Sequence, residues 1–340
     1  MKGRASARVF RRRLSRPPAA TGSASSPSSV HATKAARCMS RSPLLWFPMQ
    51  LRKALQAGLQ SLLERQVPSA QLAAELLLMH VLKQDRGFVH THPELELPPE
   101  AADRYFRLIA ERSTGKPTQY ITGHQEFWGL DFEVTPQVLI PRPETEHAVE
   151  AVLELARREG LDENRRLKIV DVGTGSGCIA LALASEFPRA VVFATDISRS
   201  ALVVASRNAV RLGMPERVKF LECDLLTRFL DGDFTFDFVV SNPPYVARDE
   251  LHQLQREVRD FEPQLAWGGL ERGDEIYRRL FPQALQVLKP GGHVVVEIGY
   301  TMRDAVISLL GSPWIEVDVR ADLRGIPRVV SARKNPQPTG

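Results

Sequence analysis

The sequence predicts a seven-stranded, doubly wound α/β domain preceded by a small helical domain. Segments rich in β-branched residues alternate with helical segments from residue 138 to residue 335. The stretch KIVDVGTGSGCIA, residues 168–180, joins a strand to a helix through a glycine-rich turn. Acidic residues recur where the later strands end. This order is typical of a parallel sheet that is covered by helices on both faces.

The length and composition allow two folded domains, or one domain and a tail. The chain has 340 residues, of which 43% are hydrophobic and 25% are charged. No run approaches the ~18 apolar residues that a membrane span requires, so we expect no membrane association. The three cysteines are odd in number and widely separated, which predicts neither a disulfide framework nor a zinc site. We therefore expect a reducing compartment and no metal.

The first 48 residues differ from the rest of the chain in charge. They hold ten basic side chains and no acid, whereas the remainder carries 35 basic and 40 acidic side chains, a net charge of −5. The negative charge of the folded part argues against direct nucleic-acid binding, which requires a basic face. We expect residues 1–48 to be a disordered basic tail.

The origin of this tail has two interpretations. Its arginine and serine content resembles a mitochondrial transit peptide. We favour the simpler interpretation that Met49 is the natural start, because an amphipathic helical pattern follows at once. We therefore expect a cytoplasmic protein, with a mitochondrial location as the alternative.

Residues 49–115 are predicted to form a small helical domain of three helices. Apolar residues recur there at helical spacing, and prolines separate the segments. The residues that mark the three helices are, in order, Leu51, Leu55, Leu59 and Leu62, then Leu72, Leu76, Leu77 and Val81, then Tyr105, Leu108 and Ile109. The histidines His80, His90 and His92 lack the spacing of metal ligands and are expected to be surface or packing residues.

Residues 116–137 are predicted to form a hairpin that links the two domains. The sequence alternates between Pro117 and Val134 around two glycines. Phe127 and Trp128 lie in this segment, and they either pack between the domains or line a cofactor pocket.

Residues 138–335 are predicted to form the larger domain, which begins near the segment LIPRPETEHAV. Residues 336–340 are predicted to form a short C-terminal tail. Pro143 suits the first turn of a helix. The negative charges of Glu144 and Glu146 would interact favourably there with the positive end of the helix dipole. Helix formation does not explain Arg142, a cation held between two prolines. The later elements are predicted as follows: a helix to Phe187, the strand AVVFAT, the helix SRSALVVASRNAVRLG, the strands VKFLEC and DFVVS, a helix at 275–288, the strand HVVVEIG, a helix at 302–310, and the strands WIEVDVR and RVVSAR, with the last pair antiparallel.

The glycine-rich turn predicts a site for S-adenosylmethionine. Dinucleotide sites have the pattern G-x-G-x-x-G, whereas here the third glycine comes one residue early. Asp171 stands two residues before the first glycine, and a carboxylate there suits the cationic methionine part of S-adenosylmethionine. The predicted cofactor-binding residues of this turn are Gly173, Thr174, Gly175, Ser176 and Gly177.

Two further acids extend the predicted cofactor site. Asp196 follows the next strand at a distance where a carboxylate can accept hydrogen bonds from both ribose hydroxyls. Asp224 ends the third strand and can accept from an adenine amino group, with Leu225 against the ring. Each acid could instead cap a helix, but together with the turn they indicate a nucleoside with a free ribose.

The sequence Asn242-Pro243-Pro244-Tyr245 ends the fourth strand and predicts the site of catalysis. The nitrogen of a planar amide or aryl amine is a poor nucleophile because its lone pair is delocalised. Asn242 offers a side-chain oxygen and Pro243 a carbonyl oxygen, and two acceptors can fix one NH2 group. Tyr245 can present its ring to the substrate or to the sulfonium. Such a site requires positioning rather than a strong base.

Two other functions use the same features. A DNA or RNA methyltransferase that acts on exocyclic amines would have the same pair of acceptors, because adenine also presents an NH2 group. A cofactor-binding partner without activity would be expected to have lost Asn242 or a loop glycine, and neither is lost.

Eight segments carry a resemblance to a known family: QYITG, EFWGLDF, LIPRPETE, DVGTGSGCIA, ATDIS, SNPPYV, FEPQLA and VLKPGGHVVVEIG. Over residues 51–333 the chain resembles the protein-(glutamine-N5) methyltransferases of the HemK/PrmC family. That family methylates the glutamine of the Gly-Gly-Gln loop in peptide chain release factors. NPPY alone is shared with DNA adenine and some RNA methyltransferases, but its combination with LIPRPETE and a helical N-terminal domain is specific.

The resemblance implies a role for each predicted site residue. The glycine turn and Asp196 would hold S-adenosylmethionine, and Asp224 and Leu225 would lie by the adenine. Residues 242–245 would clamp the substrate glutamine, with Asn242 also near the cofactor. The helical domain would help to recognise the release factor, and we expect a monomer. Trp267 departs from the family pattern, because a smaller polar residue is expected there.

Overall fold

The computed structural model describes residues 49–161 and 165–336. The predicted tail at 1–48 lies outside the described residues, as does all but the first residue of the predicted tail at 336–340. Within the described ranges, no helix is both long enough and apolar enough to cross a bilayer.

The first part of the described chain is helical, as the apolar spacing predicts. Tyr105 and Ile109 are buried in its core together with Leu51, Leu62 and Leu77. Two short strands close this part as an antiparallel pair. Its elements are β1 (Met49–Gln50), α1 (Leu51–Glu64), α2 (Ala70–Leu82), α3 (Arg86–Thr91), β2 (Glu96–Leu97) and α4 (Pro99–Arg112).

The second helix forms where the spacing predicts it, but not all of its apolar residues are buried. Leu72, one of the residues whose spacing predicts this helix, is 48% exposed. The buried face of α2 instead includes Ala73, Ala74, Leu77 and Leu78. Apolar residues occur around most of α2, so their spacing alone does not define which face is buried.

The predicted linker hairpin is shorter than expected. A helix, α5 (Thr118–Thr122), precedes the hairpin and ends at Gly123, whose φ is +81°. The hairpin then consists of β3 (His124–Phe127) and β4 (Leu130–Glu133). Trp128 and Gly129 form its two-residue turn, and both have the positive φ that tight hairpin turns require.

The larger part contains the predicted alternation of strands and helices. A 3₁₀ turn (Pro143–Thr145) leads into it. Its elements are α6 (Glu146–Arg158), β5 (Lys168–Val172), α7 (Cys178–Glu186), β6 (Val191–Asp196), α8 (Arg199–Arg211), β7 (Val218–Glu222), β8 (Phe236–Ser241), β9 (Val246–Ala247), α9 (Arg256–Phe261), α10 (Gln264–Trp267), β10 (Gly268–Leu270), α11 (Glu275–Val287), β11 (Leu288–Glu297), α12 (Arg303–Ile307), β12 (Trp314–Ala321) and β13 (Pro327–Lys334).

Seven of these strands form one sheet in the order β12-β13-β11-β8-β5-β6-β7. The strands from β11 to β7 pair in parallel, and β13 runs antiparallel to both of its neighbours. Strand β5 lies between β6, which follows it in the chain, and β8, which comes later. This reversal places a crevice at the carboxyl ends of β5, β6 and β8, where ligands bind in open α/β sheets.

Both faces of the sheet are covered, as a doubly wound fold requires. One apolar cluster includes Val149 of α6 and Ile179 of α7, and a second includes Tyr277 and Phe281 of α11. Phe127 of the hairpin is buried in the first cluster. The hairpin therefore packs on the sheet domain and is not a free linker.

Residues 246–270, here called the insert, interrupt the alternation of strands and helices. The insert contains the parallel pair β9 and β10, a 3₁₀ turn and the short helices α9 and α10. Gly268 has φ +127°, and a Cβ there would lie 2.7 Å from the Val246 carbonyl oxygen, so the pair requires glycine. None of these short elements has a long enough apolar period for the sequence to predict it.

Candidate active site

A cavity of about 290 Å³ opens at the carboxyl ends of β5, β6 and β8. Its walls come from the glycine turn, the loop before α6, the residues that follow β6, β7 and β8, the insert, and α11. Predicted site residues that line it are Gly173, Thr174, Gly175, Ser176, Asp196, Asp224, Leu225, Asn242, Pro243 and Pro244. The fold thus brings together residues that are far apart in the sequence.

The three glycines of the turn have different surroundings. A Cβ on Gly173 or Gly175 would meet no atom within 4 Å, and both residues line the cavity with positive φ. A Cβ on Gly177 would lie 3.2 Å from both Ala205 Cβ and Leu181 Cδ1. Gly177 is not a cavity-lining residue, contrary to the prediction that it contacts a cofactor. Its lack of a side chain lets α7 pack closely against α8.

Asp171 supports the turn from beneath. Its Oδ2 accepts hydrogen bonds from Thr174 Oγ1 at 2.6 Å and from the Ala180 N–H at 3.1 Å. The side chain is fully buried, and burial raises the pKa of this carboxyl to about 7. Asp171 does not line the cavity, so the expectation that it faces the methionine part of a cofactor is corrected. It shapes the turn instead.

Asp196 lies on the cavity wall beside the turn. Its two oxygens accept hydrogen bonds from the Gly175 N–H at 2.9 Å and the Ser198 N–H at 2.8 Å. Burial raises the pKa of Asp196, and these N–H donors oppose the rise. A carboxylate oxygen has a second lone pair, so Asp196 keeps acceptors for two hydroxyl donors.

Asp224 and Leu225 line the next section of the wall. Asp224 is not free, because Arg279 Nη2 of α11 donates to its Oδ2 at 2.5 Å. Arg279 also lines the cavity, and the sequence did not indicate it. Leu225 has φ +54°, an uncommon conformation for a branched side chain.

Asn242 is held in one orientation by the loop before α6. Its Nδ2 donates a hydrogen bond to Thr145 Oγ1 at 3.0 Å. No residue in the described ranges donates to its Oδ1 or to the Pro243 carbonyl oxygen. Two free acceptors thus belong to neighbouring residues of the cavity wall.

Tyr245 lies behind this wall, contrary to the prediction that it faces the substrate. It is absent from the cavity lining, and its hydroxyl donates to Glu297 Oε1 at 3.4 Å. The ring packs beside Gly299, where a Cβ would lie 3.0 Å from Tyr245 Cδ2. Burial raises the pKa of Tyr245.

Arg142, which helix formation did not explain, joins the loop before α6 to the insert. Its Nη2 donates to Glu262 Oε1 at 2.5 Å, and the Glu262 side chain is buried. Burial raises the pKa of Glu262, and Arg142 opposes the rise. The residues Pro263, Leu265 and Ala266 follow directly and line the cavity. Trp267 does not line it; the Trp267 Nε1 donates within the insert to the Glu262 carbonyl oxygen.

Asn208 of α8 is a second contributor that the sequence did not indicate. This buried amide donates to the Ser176 carbonyl oxygen at 2.9 Å and to the Glu133 carbonyl oxygen at 3.0 Å. Its Oδ1 accepts from the Glu133 N–H at 2.7 Å. Asn208 thereby fixes the glycine turn to the hairpin.

The residues of the cavity fit S-adenosylmethionine. The turn leaves open space above Gly173 and Gly175, Asp196 offers acceptors for hydroxyls, and Ile179, Ile197 and Leu225 supply apolar surface for a ring. Among the described residues, no group of three or more His, Cys, Asp or Glu side chains could hold a metal ion. Cys178 and Cys223, the cysteines within the described ranges, are both free.

Two family models match separate parts of the chain. A family model described as the PrmC N-terminal domain matches residues 53–123, and the methyltransferase small domain matches residues 158–269. A protein from Koribacter versatilis named release factor glutamine methyltransferase is 52% identical over 286 residues, covering 84% of this chain and 99% of that protein. One of the same name from Moorella thermoacetica is 46% identical, covering 77% of this chain and 89% of that protein.

Solved structures are more distant. The T. thermophilus 16S rRNA N2 G1207 methyltransferase, in complex with AdoMet and guanosine, is 17% identical with a TM-score of 0.46. The match covers 62% of this chain and 50% of that chain.

Proposed function

Because the chain belongs to the release factor glutamine methyltransferase family, we propose that it methylates the glutamine of the Gly-Gly-Gln motif in peptide chain release factors. The chain is an S-adenosylmethionine-dependent methyltransferase. The acceptor in this proposal is the side-chain amide nitrogen of that glutamine.

The pair of free acceptors beside the cofactor cavity is the observation that carries the proposal. Asn242 Oδ1 and the Pro243 carbonyl oxygen can accept the two hydrogens of one carboxamide NH2 group. Two acceptors hold this nitrogen in a fixed place and draw electron density toward it. When bound, S-adenosylmethionine supplies a methyl group on a positively charged sulfur. The protein's own contribution is then orientation, which requires no strong base.

The remaining site residues have roles that follow from their positions. We propose that the open side of the glycine turn and Asp196 hold the cofactor, and that Asp224 and Leu225 lie by its adenine. Pro244 contributes to the substrate wall. Gly177 and Tyr245 support these contacts from behind.

The proposed partner is a release factor alone. The negative net charge outside residues 1–48 argues against a nucleic-acid substrate. We propose that the enzyme acts as a monomer in the cytoplasm, where translation supplies its substrate.

The test is a methyl-transfer assay with labelled S-adenosylmethionine, in which release factor and DNA are offered in parallel. We expect label in the release factor, and none in a release factor whose Gly-Gly-Gln glutamine is changed to alanine. Label in the nucleic acid alone would replace this proposal with the exocyclic-amine reaction. Label that persists in the glutamine variant would leave the enzyme class intact and refute the acceptor.

A further inference from the structure

The wall behind Asn242 contains polar side chains that methyl transfer does not itself require. Thr145, in the 3₁₀ turn before α6, accepts the hydrogen bond from Asn242 Nδ2 at 3.0 Å. Glu297, at the end of β11, accepts from the Tyr245 hydroxyl at 3.4 Å. Thr145 and Glu297 are 2% and 4% exposed, so water has little access to either.

Thr145 also acts on Glu297. Oε2 of Glu297 makes no hydrogen bond of ordinary geometry with the described residues. The Thr145 hydroxyl is a neighbouring donor that can turn its hydrogen toward this unpaired oxygen, and its presence favours the ionised form of the carboxyl. Asn242 is therefore bonded to Thr145, 97 residues away in the chain, and a turn of the Thr145 hydroxyl would extend this series to Glu297.

The direction of this series follows from the number of hydrogens. A threonine hydroxyl has one hydrogen to donate, and an ionised carboxylate can only accept. When Glu297 is ionised, the Thr145 hydrogen points toward it, and the Thr145 oxygen is left to accept from Asn242. The amide of Asn242 must then turn its nitrogen toward Thr145 and its oxygen away from it.

A neutral side chain at position 297 would remove this constraint. A protonated carboxyl can donate to Thr145, whose own hydrogen could then turn toward Asn242. The Asn242 amide could flip and present its NH2 group to the substrate nitrogen. The NH2 group of Asn242 would then face the NH2 group of the substrate, and the site would lose one of its two hydrogen-bond acceptors.

We propose that Thr145 and Glu297 are positioning residues that lock the Asn242 amide with Oδ1 directed at the substrate NH2 group. This inference rests on the proposed function, because an acceptor at this place matters only if the incoming group is a hydrogen-bond donor. Neither residue touches the reacting atoms. Both act through Asn242.

The lock depends on pH, because Glu297 must be ionised. Burial, with a smaller contribution from Glu144, raises the pKa of Glu297 to about 7, although Thr145, Tyr245 and Arg328 oppose the rise. The ionised form, and with it the lock, is present above this pH and is lost as the pH falls through it. Burial also raises the pKa of Tyr245, of Tyr277 and of the Cys178 thiol, so these three neighbours stay neutral near pH 7.

A pair of substitutions at Thr145 tests the lock without changing charge. Thr145→Val removes the hydroxyl and keeps the shape, whereas Thr145→Ser keeps the hydroxyl. We expect T145V to lower kcat by about tenfold or more through misplacement of the amide. T145S should keep most of the activity, and the affinity for S-adenosylmethionine should be similar in both.

Glu297→Gln tests the dependence on ionisation. The wild-type kcat should fall as the pH is lowered from 8 to 6, and E297Q should be slow at both values and lack this fall. Tyr277→Phe is the matched control, because the Tyr277 hydroxyl donates to the Glu297 carbonyl oxygen at 2.7 Å and not to its carboxyl. Y277F should lower the Tm and leave the pH profile of kcat unchanged.

Folded T145V with wild-type kcat would overturn the inference, and so would E297Q with a wild-type pH profile. If E297Q does not fold, the T145V and T145S pair decides alone. Wild-type protein is assayed beside every variant. A wild type that does not methylate release factor counts against the proposed function, whereas an active wild type with equally active variants counts only against the lock.

Discussion

At the scale of single residues, the amide of Asn242 has two separate tasks. Its nitrogen donates to Thr145, and its oxygen is left without a partner in the described part of the chain. Asn242→Ala should therefore reduce kcat by about a hundredfold or more, which corresponds to about 2.7 kcal/mol of lost transition-state stabilisation. Affinity for S-adenosylmethionine, measured by calorimetry on the same preparation, should change only a few-fold. Turnover close to that of the wild type would exclude this role.

Asp171 predicts a pH-dependent stability that is separate from catalysis. Burial raises its pKa from 3.8 to about 7. At pH values between these two, the folded state holds a proton that the unfolded state has released. Its contribution to stability is complete below pH 3.8 and is lost as the pH rises toward 7. Asp171→Asn removes this loss, because both hydrogen bonds use one oxygen that asparagine retains.

Between pH 5 and pH 7, the free energy of unfolding of D171N should therefore rise relative to that of the wild type by about 2 kcal/mol. Urea denaturation of both proteins at the two pH values measures this difference. Glu297 titrates in both proteins, so its contribution largely cancels. A difference between the two proteins that is independent of pH would contradict the burial argument.

At the scale of elements, two glycines of the same turn differ in their surroundings: Gly175 lines the cavity, whereas Gly177 packs against neighbouring side chains. Gly175→Ala and Gly177→Ala both place alanine at positive φ, which costs roughly 1 kcal/mol. Only the Cβ of G177A also meets Ala205 and Leu181, at 3.2 Å. We expect G175A to lose S-adenosylmethionine affinity by tenfold or more with modest loss of stability.

For G177A we expect a larger effect on stability than on cofactor affinity. Its stability should fall further than that of G175A, by about 2 kcal/mol or more, and the folded fraction should bind the cofactor nearly as well as the wild type. Thermal unfolding and cofactor titration of the two variants check both expectations. Equal loss of affinity in G175A and G177A would show that Gly177 contacts the ligand after all.

The sequence predicted those parts of the fold and site that depend on local pattern. The helices at Cys178–Glu186 and Arg199–Arg211 follow from apolar spacing, and the free faces of Gly173 and Gly175 follow from the G-x-G-x-G order. The contact of Asn242 with Thr145 could not be predicted, because sheet order brings together residues 97 positions apart. The insert was missed because its elements are too short to show a period.

The direction of a side chain also requires the three-dimensional fold. Tyr245 belongs to the same short motif as Asn242, yet it turns away from the cavity toward Glu297. Gly177 belongs to the same turn as Gly175, yet it packs against α8. A motif places its residues within a few ångströms of a site, but neighbouring elements decide which of them contact the ligand.

At the scale of the whole molecule, Arg112 joins the helical domain to the insert. This α4 side chain is buried, forms an ion pair with Glu257 of α9, and donates to the carbonyl oxygens of Lys116 and Pro68. Arg112→Met leaves Glu257 and both carbonyls without this donor, so we expect a loss of about 3 kcal/mol in the free energy of unfolding. The KM for release factor should also rise, because the insert lines the cavity.

Arg107 on the same helix is the matched control. It pairs with Asp103 at 3.2 Å, but both side chains are largely exposed to solvent. Arg107→Met should change the free energy of unfolding by less than about 0.5 kcal/mol and should leave KM unchanged. If R107M and R112M behave alike in denaturation and in the methylation assay, the buried pair does not couple the domain to the insert.

The Arg112 ion pair has a consequence for protein engineering. A chimera that exchanged only residues 49–115 for those of another enzyme would give Glu257 a foreign neighbour and disturb the cavity wall. Residues 49–115 and residues 246–270 are distant in the sequence, but this ion pair joins them in the fold. A chimera that moves both pieces together should therefore keep this ion pair, whereas one that moves residues 49–115 alone should lose it.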